Sequence, residues 1–466
     1  AFLRKYANLM PADVVKRIEV EESAHQKLNA LANGLAESSH KIYILIDEYD
    51  NFTNSIVSKE GGAAAYHKLM REEGFFKYFF NVLKAAASSS GSALARMFIT
   101  GVSPITMDDV TSGFNIGNNI TVDEDYATVL GFTEKDVCEI LDYYSEAGVF
   151  HLDKEESLAL MREWYDGYKF SEDAEETVYN TDMVLYFMKE AYGRTKLVRD
   201  LIDDNVRVDY GKLRHFLTIN KRLNGNFDVL ESILTEGGIS APLVKTFPYR
   251  DVTRRENFVS LLYYFGLITI NGSFRGEPYF KTPNIVISEL MHAFIRRGYE
   301  DVYDFNLDVY RLNRLMQGMA YDNDWRPCIE FIARSVRQMT SLRDFIDGER
   351  VVQALFLSLL HICKFFIIES EREANHGYAD LMLFPFVQRY PDMQADYLIE
   401  FKYLSKEKYS DALKDEKIAE AKSQLARYSD DEGLKKLMHT GSYGHIALHR
   451  LIIVFKGPEL IYLEEC

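Results

Sequence analysis

The stretch Tyr397-Leu398-Ile399-Glu400-Phe401-Lys402-Tyr403 limits the fold of this chain more than any other. It is an apolar, β-favouring run that carries a carboxylate and an ammonium two positions apart. Side chains alternate across a strand, so Glu400 and Lys402 share one face while Phe401 points into the opposite core. Such a strand has either a polar site built on one face or an ion pair turned toward solvent. Its neighbours in sequence decide how much weight the first reading carries.

Upstream lies an apolar helix, "GERVVQALFLSLLHI", then a strand, "KFFIIES". A turn with Gly377 leads to a second strand, "YADLMLF", and a loop with Pro391 leads to "DYLIEFKY". A charged helix over about 411–429 and a last strand, "HRLIIVF", follow, so the expected order over 341–466 is α-β-β-β-α-β. Asp380 closes the turn before the second strand. If the second and third strands pair, Asp380 and Glu400 converge. Two carboxylates with water suit a hard divalent cation, Mg²⁺ or Mn²⁺. Lys402 beside them can orient a water or stabilise developing negative charge. Glu349, at the start of the first helix, supplies a further acid, and Glu369 and Glu371 lie close in sequence. Gln424 and Tyr428 are four apart on the charged helix and so share a face.

"GYAD", "IEFKY" and "QLARY" together resemble the PD-(D/E)XK nuclease superfamily over about 349–456, including the Gln-xxx-Tyr helix of several of its branches. The resemblance implies Asp380 and Glu400 as metal ligands, Lys402 as the catalytic lysine, and Gln424 and Tyr428 as supporting residues near substrate. The branch often has Gly-Arg-x-Asp. Here Tyr378 stands in the Arg position, which removes one phosphate contact and leaves the metal ligands untouched.

A second constellation sits near the start. "KIYILIDEYD" is a β-prone run that ends in Asp47 and Glu48, and "RMFITGV" is a later strand ending at Thr100. A helical segment lies between them, which predicts a parallel β-α-β unit. Ligands of such sheets bind at the carboxyl ends of the strands. There an Asp can hold Mg²⁺, a following Glu can activate water against a γ-phosphate, and Thr100 can sense that phosphate. An ordinary polar turn after a strand is the alternative. Further motifs, "LGFT" and "WYDGYKF", follow in order. Together with the nuclease motifs they resemble AAA-ATPase-like proteins that carry a C-terminal PD-(D/E)XK domain.

That likeness implies an α/β multidomain protein. Its parts would be a truncated P-loop (AAA-like) α/β core over 1–128, a helical lid over 129–240, a winged-helix-like unit over 241–300, a helical connector over 301–340 and the PD-(D/E)XK domain over 341–466. No G-x-x-x-x-G-K-[ST] occurs. The chain opens without Met, so the expectation is a parent protein whose upstream phosphate-binding loop is missing here. ATP is then expected only for that parent, and no measurable ATPase activity for these 466 residues.

Composition bounds the partners. The net charge of -17 gives no general attraction to DNA or anionic lipid, so nucleic acid, DNA or RNA, must be met by a local basic patch. Lys406, Lys408, Lys414, Lys417, Lys422 and Arg427 can form one, although the acids interleaved with them also fit a solvated, salt-bridged helix. The four cysteines are far apart and lack metal-site spacing, which fits a reducing cytoplasm. No run reads as a membrane span. Trp164, Tyr165 and Tyr168 can stack on a base or pack in a core, and His361 on its apolar helix reads as a buried histidine. Two functions remain: a metal-dependent nuclease coupled to an AAA-like ATPase module, or a non-catalytic, nucleotide-gated interaction or nucleic-acid-binding protein with a degenerate nuclease fold. Oligomers fit either.

Overall fold

A computed structural model describes residues 2–36, 40–50, 75–88, 93–102, 117–197, 200–203, 218–219, 222–223, 225–248, 251–303, 306–340, 348–362, 364–374, 377–429 and 446–466. These fall into two compact units, Ala1–Tyr126 with Pro242–Gly266, and Ala127–Ala241 with Leu267–Cys466.

In the first unit, helices α1 (Ala12–Val20) and α2 (Ala24–Gly34) precede strand β1 (Ile42–Ile46), helix α3 (Phe75–Ser88) and strand β2 (Leu94–Ile99). Ser23 starts α2 with a capping box closed by Gln26. β1 and β2 pair in parallel, with Ile44 opposite Met97 and Ile46 opposite Ile99, as the β-α-β pattern predicts. Alternation sends Ile44, Ile46, Met97 and Ile99 to one face, where they pack on Leu28, Phe80 and Leu83. Tyr43, Leu45 and Phe98 are exposed. The upstream part of the predicted helix, 65–74, lies outside the described residues. The helix Arg255–Tyr264 belongs to this unit, and its Ser260 hydroxyl accepts from the Val244 N–H.

The second unit begins with helices α4 (Glu134–Glu146), α5 (Lys154–Tyr165), α6 (Thr181–Ala191) and α7 (Gly225–Thr235). Thr133 caps α4 in a box closed by Asp136. Two short strands, β3 (Thr218–Ile219) and β4 (Arg222–Leu223), precede α7. After β5 (Ile239–Ser240) comes a hairpin, β6 (Thr269–Phe274) and β7 (Glu277–Lys281). Its turn residues Arg275 and Gly276 both have positive φ, 54° and 87°, which matches the twist of the flanking strands. Helices α8 (Ile285–Tyr303), α9 (Val309–Tyr321) and α10 (Arg326–Thr340) follow.

The C-terminal part is built as α11 (Glu349–Leu360), β8 (Phe366–Ala374), β9 (Gly377–Pro385), β10 (Ala395–Leu404), α12 (Asp411–Ser429), β11 (Ala447–Lys456) and β12 (Glu459–Glu465). The sheet order is β12-β11-β10-β9-β8, with β10 and β11 parallel and the other pairs antiparallel. Six of these elements follow the predicted α-β-β-β-α-β order. β12 is an addition, an edge strand whose residues are exposed or half-buried. Asp380 lies inside β9 and does not end the preceding turn. The odd-numbered residues of β10 face α11, where Phe356 meets Phe401 and Phe455 at 5.8 and 6.2 Å between ring centroids. The even-numbered residues face α12, where Leu398, Ile452 and Val454 form a core with Ala421, Leu425 and Tyr428. Trp164 is buried and stacks on Phe386, so it serves packing. No described helix is long and apolar enough to cross a membrane.

α8 packs on α11. His292 and His361 stack between them, with ring centroids 3.9 Å apart and planes 14° from parallel. Burial drives both imidazoles below the usual 6.5, His361 to about 3, and the neighbouring ring adds to the effect on His292. The folded protein therefore keeps both neutral while the unfolded chain takes up protons below about 6.5. Stability is full above that value and falls as the pH drops under it. From pH 6 to 5 the pair is expected to remove about 2 kcal/mol. Urea titrations at both pH values check this against a His292→Phe/His361→Phe variant, which keeps the ring stack. Parallel profiles for the two proteins would refute it.

Candidate functional site

β9 and β10 pair from Leu383–Tyr397 through Met382–Leu398 to Leu381–Ile399, and the ladder ends there. One step further, the Asp380 carboxylate takes over: its Oδ2 accepts from the Phe401 N–H at 2.9 Å. Along its other edge β10 stays paired with β11 over its full length. Glu400 and Lys402 therefore project from a well-held strand, on the face toward α12, into the place where β9 leaves the ladder. Lys402 Nζ lies 2.6 Å from Glu400 Oε1 and 3.8 Å from Asp380 Oδ2. The three side chains that sequence spacing groups together meet in space.

Access is graded. The Glu400 side chain is 1% exposed, Lys402 13% and Asp380 26%, so solvent reaches the cluster past Asp380. Burial is the largest effect on each group. It raises both carboxyls above their usual range, Glu400 to about 8, and the Asp380 charge pushes Glu400 further in that direction. The two carboxyls lie close enough to act on each other, so near neutral pH one proton is held between them. Burial works against the Lys402 ammonium, but Asp380 and Glu400 outweigh it and hold Lys402 above its usual value. Glu349 joins by charge: burial first, and then Asp380, raise its carboxyl, while Lys402 and Lys417 draw it back.

From α12, Tyr428 is buried to 1%. Its phenol is raised by burial and then by Glu400 and Asp380, with Gln424 as its side-chain hydrogen-bond partner. Gln424 Oε1 and Glu400 Oε2 are both buried without a hydrogen-bond partner. A buried carboxylate oxygen left in that state is costly unless a cation or proton meets it. Two converging carboxyls with an unsatisfied oxygen, all hard donors, fit Mg²⁺ or Mn²⁺. Among the described residues no three or more His, Cys, Asp or Glu side chains gather as a metal cage, which leaves water to complete a shell around two carboxylates. Glu369 lies on β8 opposite Met382. The side chain of Glu371 is outside what is described.

In the first unit, Asp47, Glu48 and Thr100 also come together. The Thr100 hydroxyl donates to Asp47 Oδ1 at 2.6 Å and accepts from the Glu48 N–H at 3.1 Å. Glu48 adopts a φ of 49°, rare for a residue with a side chain. Sequence reasoning missed Asp50, which is 1% exposed and accepts from the Val102 N–H at 3.1 and 3.2 Å. That pair of bonds ties the end of β1 to the turn after β2. Gly101 is required there, because a Cβ would lie 2.0 Å from the Tyr49 ring. Asp50 closes the run "DEYD", and its acidic type at a strand end is the signal that was available.

Comparison with known proteins agrees with this division. Residues 347–465 match the family model described as PD-(D/E)XK nuclease superfamily, and residues 2–111 match the one described as Predicted AAA-ATPase. The arrangement is the one expected from the motifs. An "Uncharacterized protein in vnfD 5'region" of Azotobacter chroococcum mcd 1 is 28% identical over 163 residues, 34% of this chain. The match spans 27% of that relative's length. No solved structure matches the chain.

Proposed function

We propose that the second unit carries a metal-dependent nuclease site that hydrolyses phosphodiester bonds of DNA or RNA. The observation that supports this best is the buried Glu400 Oε2, unpartnered beside the half-buried carboxyl of Asp380. Asp380 and Glu400 would hold Mg²⁺ or Mn²⁺, and Glu349 would add negative charge at the rim. When bound, the ion lowers the pKa of water and offsets charge on the phosphodiester. The chain's own residues do the rest. Lys402, kept charged by its two acids, stabilises the developing charge on phosphate. The Phe401 N–H fixes one Asp380 oxygen. Gln424 and Tyr428 wall the site on the α12 side and restrict water.

In the first unit, Asp47, Glu48 and Thr100 are proposed as the ATP-facing end of an AAA-like module that regulates or powers the nuclease. ATP binding there needs phosphate-cradling groups that these residues do not supply.

The 2.6 Å contact of Lys402 with Glu400 favours a second reading, a non-catalytic binding module in which Lys402 neutralises the acids. Incubation with supercoiled plasmid DNA and with a labelled RNA strand separates the two. Nicking that requires Mg²⁺ or Mn²⁺ and stops with EDTA is expected. If neither nucleic acid is cleaved with either metal, the enzyme reading fails.

A further inference from the structure

The site is rich in acids, yet its proposed substrate is a polyanion. Lys402 is 13% exposed and committed to Glu400 and Asp380, so it cannot also anchor a strand at the entrance. α12 supplies another cation. Lys417, Gln424 and Tyr428 are seven and four residues apart, and Glu420 precedes Gln424 by four, which places them along one side of the helix. Tyr428 and Gln424 lie at the buried end of that stripe. Lys417 and Glu420 lie at its open end, with side chains 34% and 44% exposed. Lys417 Nζ is bonded to Glu420 Oε2 at 2.6 Å. Both charges act on the cluster: Lys417 on Glu349, and Glu420 on Asp380 and Lys402.

We propose that Lys417 contacts substrate, exchanging its bond with Glu420 for a phosphate oxygen of the nucleic-acid strand that enters past Asp380. This rests on the nuclease reading above and adds to it the residue that anchors the polyanion. Glu420 acts as a positioning residue that holds Lys417 at the rim until substrate arrives. A lysine–phosphate contact carries no sequence information, so its loss weakens binding to all sequences alike.

The test is fluorescence anisotropy with fluorescein-labelled single-stranded and duplex DNA in Mn²⁺, at 50–200 mM salt, on a full-length Lys402→Met background. Lys417→Met is expected to raise Kd about tenfold. It should also make the slope of log K against log salt shallower by about 0.9 for duplex and about 0.7 for single strands. Glu420→Gln should tighten binding. Lys135→Met, an exposed lysine on α4, should leave the slope unchanged. In the otherwise wild-type protein, Lys417→Met should raise KM with kcat unchanged. An unchanged salt slope in Lys417→Met overturns this role and leaves the nuclease reading intact. If the Lys402→Met background binds neither DNA, and a labelled RNA strand no better, both fall.

Discussion

Lys402→Met is expected to lower phosphodiester cleavage by about 10²–10³-fold while Mn²⁺ binding survives. The two outcomes separate because Lys402 is not a ligand. Its ammonium competes with a cation for Glu400 Oε1, 2.6 Å away. Removing it leaves the carboxyl pair with one negative charge, which a second proton or the bound cation can neutralise because burial already favours the protonated acids. The variant should therefore fold as the parent does. Asp380→Asn has a different signature. It preserves an oxygen to accept the Phe401 N–H but removes one carboxylate, so metal binding and cleavage should be lost together. Glu400→Gln is less clean, because it removes the charge closest to the half-buried Lys402 and leaves it Asp380 alone, 3.8 Å away, which weakens the fold as well as the site. Isothermal titration with Mn²⁺ and plasmid nicking, run on all three variants, check the pattern. Wild-type cleavage by Lys402→Met would remove any chemical role for the lysine, and loss of Mn²⁺ binding in it would make the lysine structural.

Much of this site was legible in sequence because it obeys local rules. Alternation placed Glu400 and Lys402 on one face. The apolar runs fixed β8 to β11, and the i, i+4 spacing put Gln424 with Tyr428. What stayed hidden depends on distant chain. β12 is a short apolar run, Leu460 to Leu463, framed by acids at the end of the sequence, and it becomes a strand by pairing with β11. Lys417 and Glu420 read as one more solvated pair, since charge spacing on a helix does not reveal which side borders a cluster. Asp50 looked like turn composition until Val102, from the neighbouring strand end, supplied its N–H. Pro242–Gly266 joins the first unit across more than a hundred intervening residues, a return that no local pattern announces. The convergence of Asp380 with Glu400 was expected, but not its means. β9 leaves the ladder, and a side chain takes the next backbone N–H of β10.

The shared proton makes metal binding a pH measurement. With Glu400 raised to about 8, the metal-free pair holds a proton at neutral pH that a divalent ion must displace. The apparent Mn²⁺ Kd should fall nearly tenfold per pH unit from 6 to about 8, roughly a hundredfold in all, and level off above. The sign for stability follows from the same shift. A carboxyl raised from 4.5 favours the folded state fully below that value, and this contribution is lost as pH rises through about 8. A bound cation restores it by meeting the charged pair, so the melting temperature should rise more on adding Mn²⁺ at pH 8 than at pH 6. Titration calorimetry in buffers of different ionisation enthalpy reads the proton directly: close to one released per Mn²⁺ at pH 7, and almost none at pH 9. Asp380→Asn removes the like charge that helps raise Glu400, so any residual binding should lose its pH dependence at a lower pH. A Kd that is flat between pH 6 and 8 would mean that Asp380 and Glu400 hold no common proton, and the case for a common cation would fall with it.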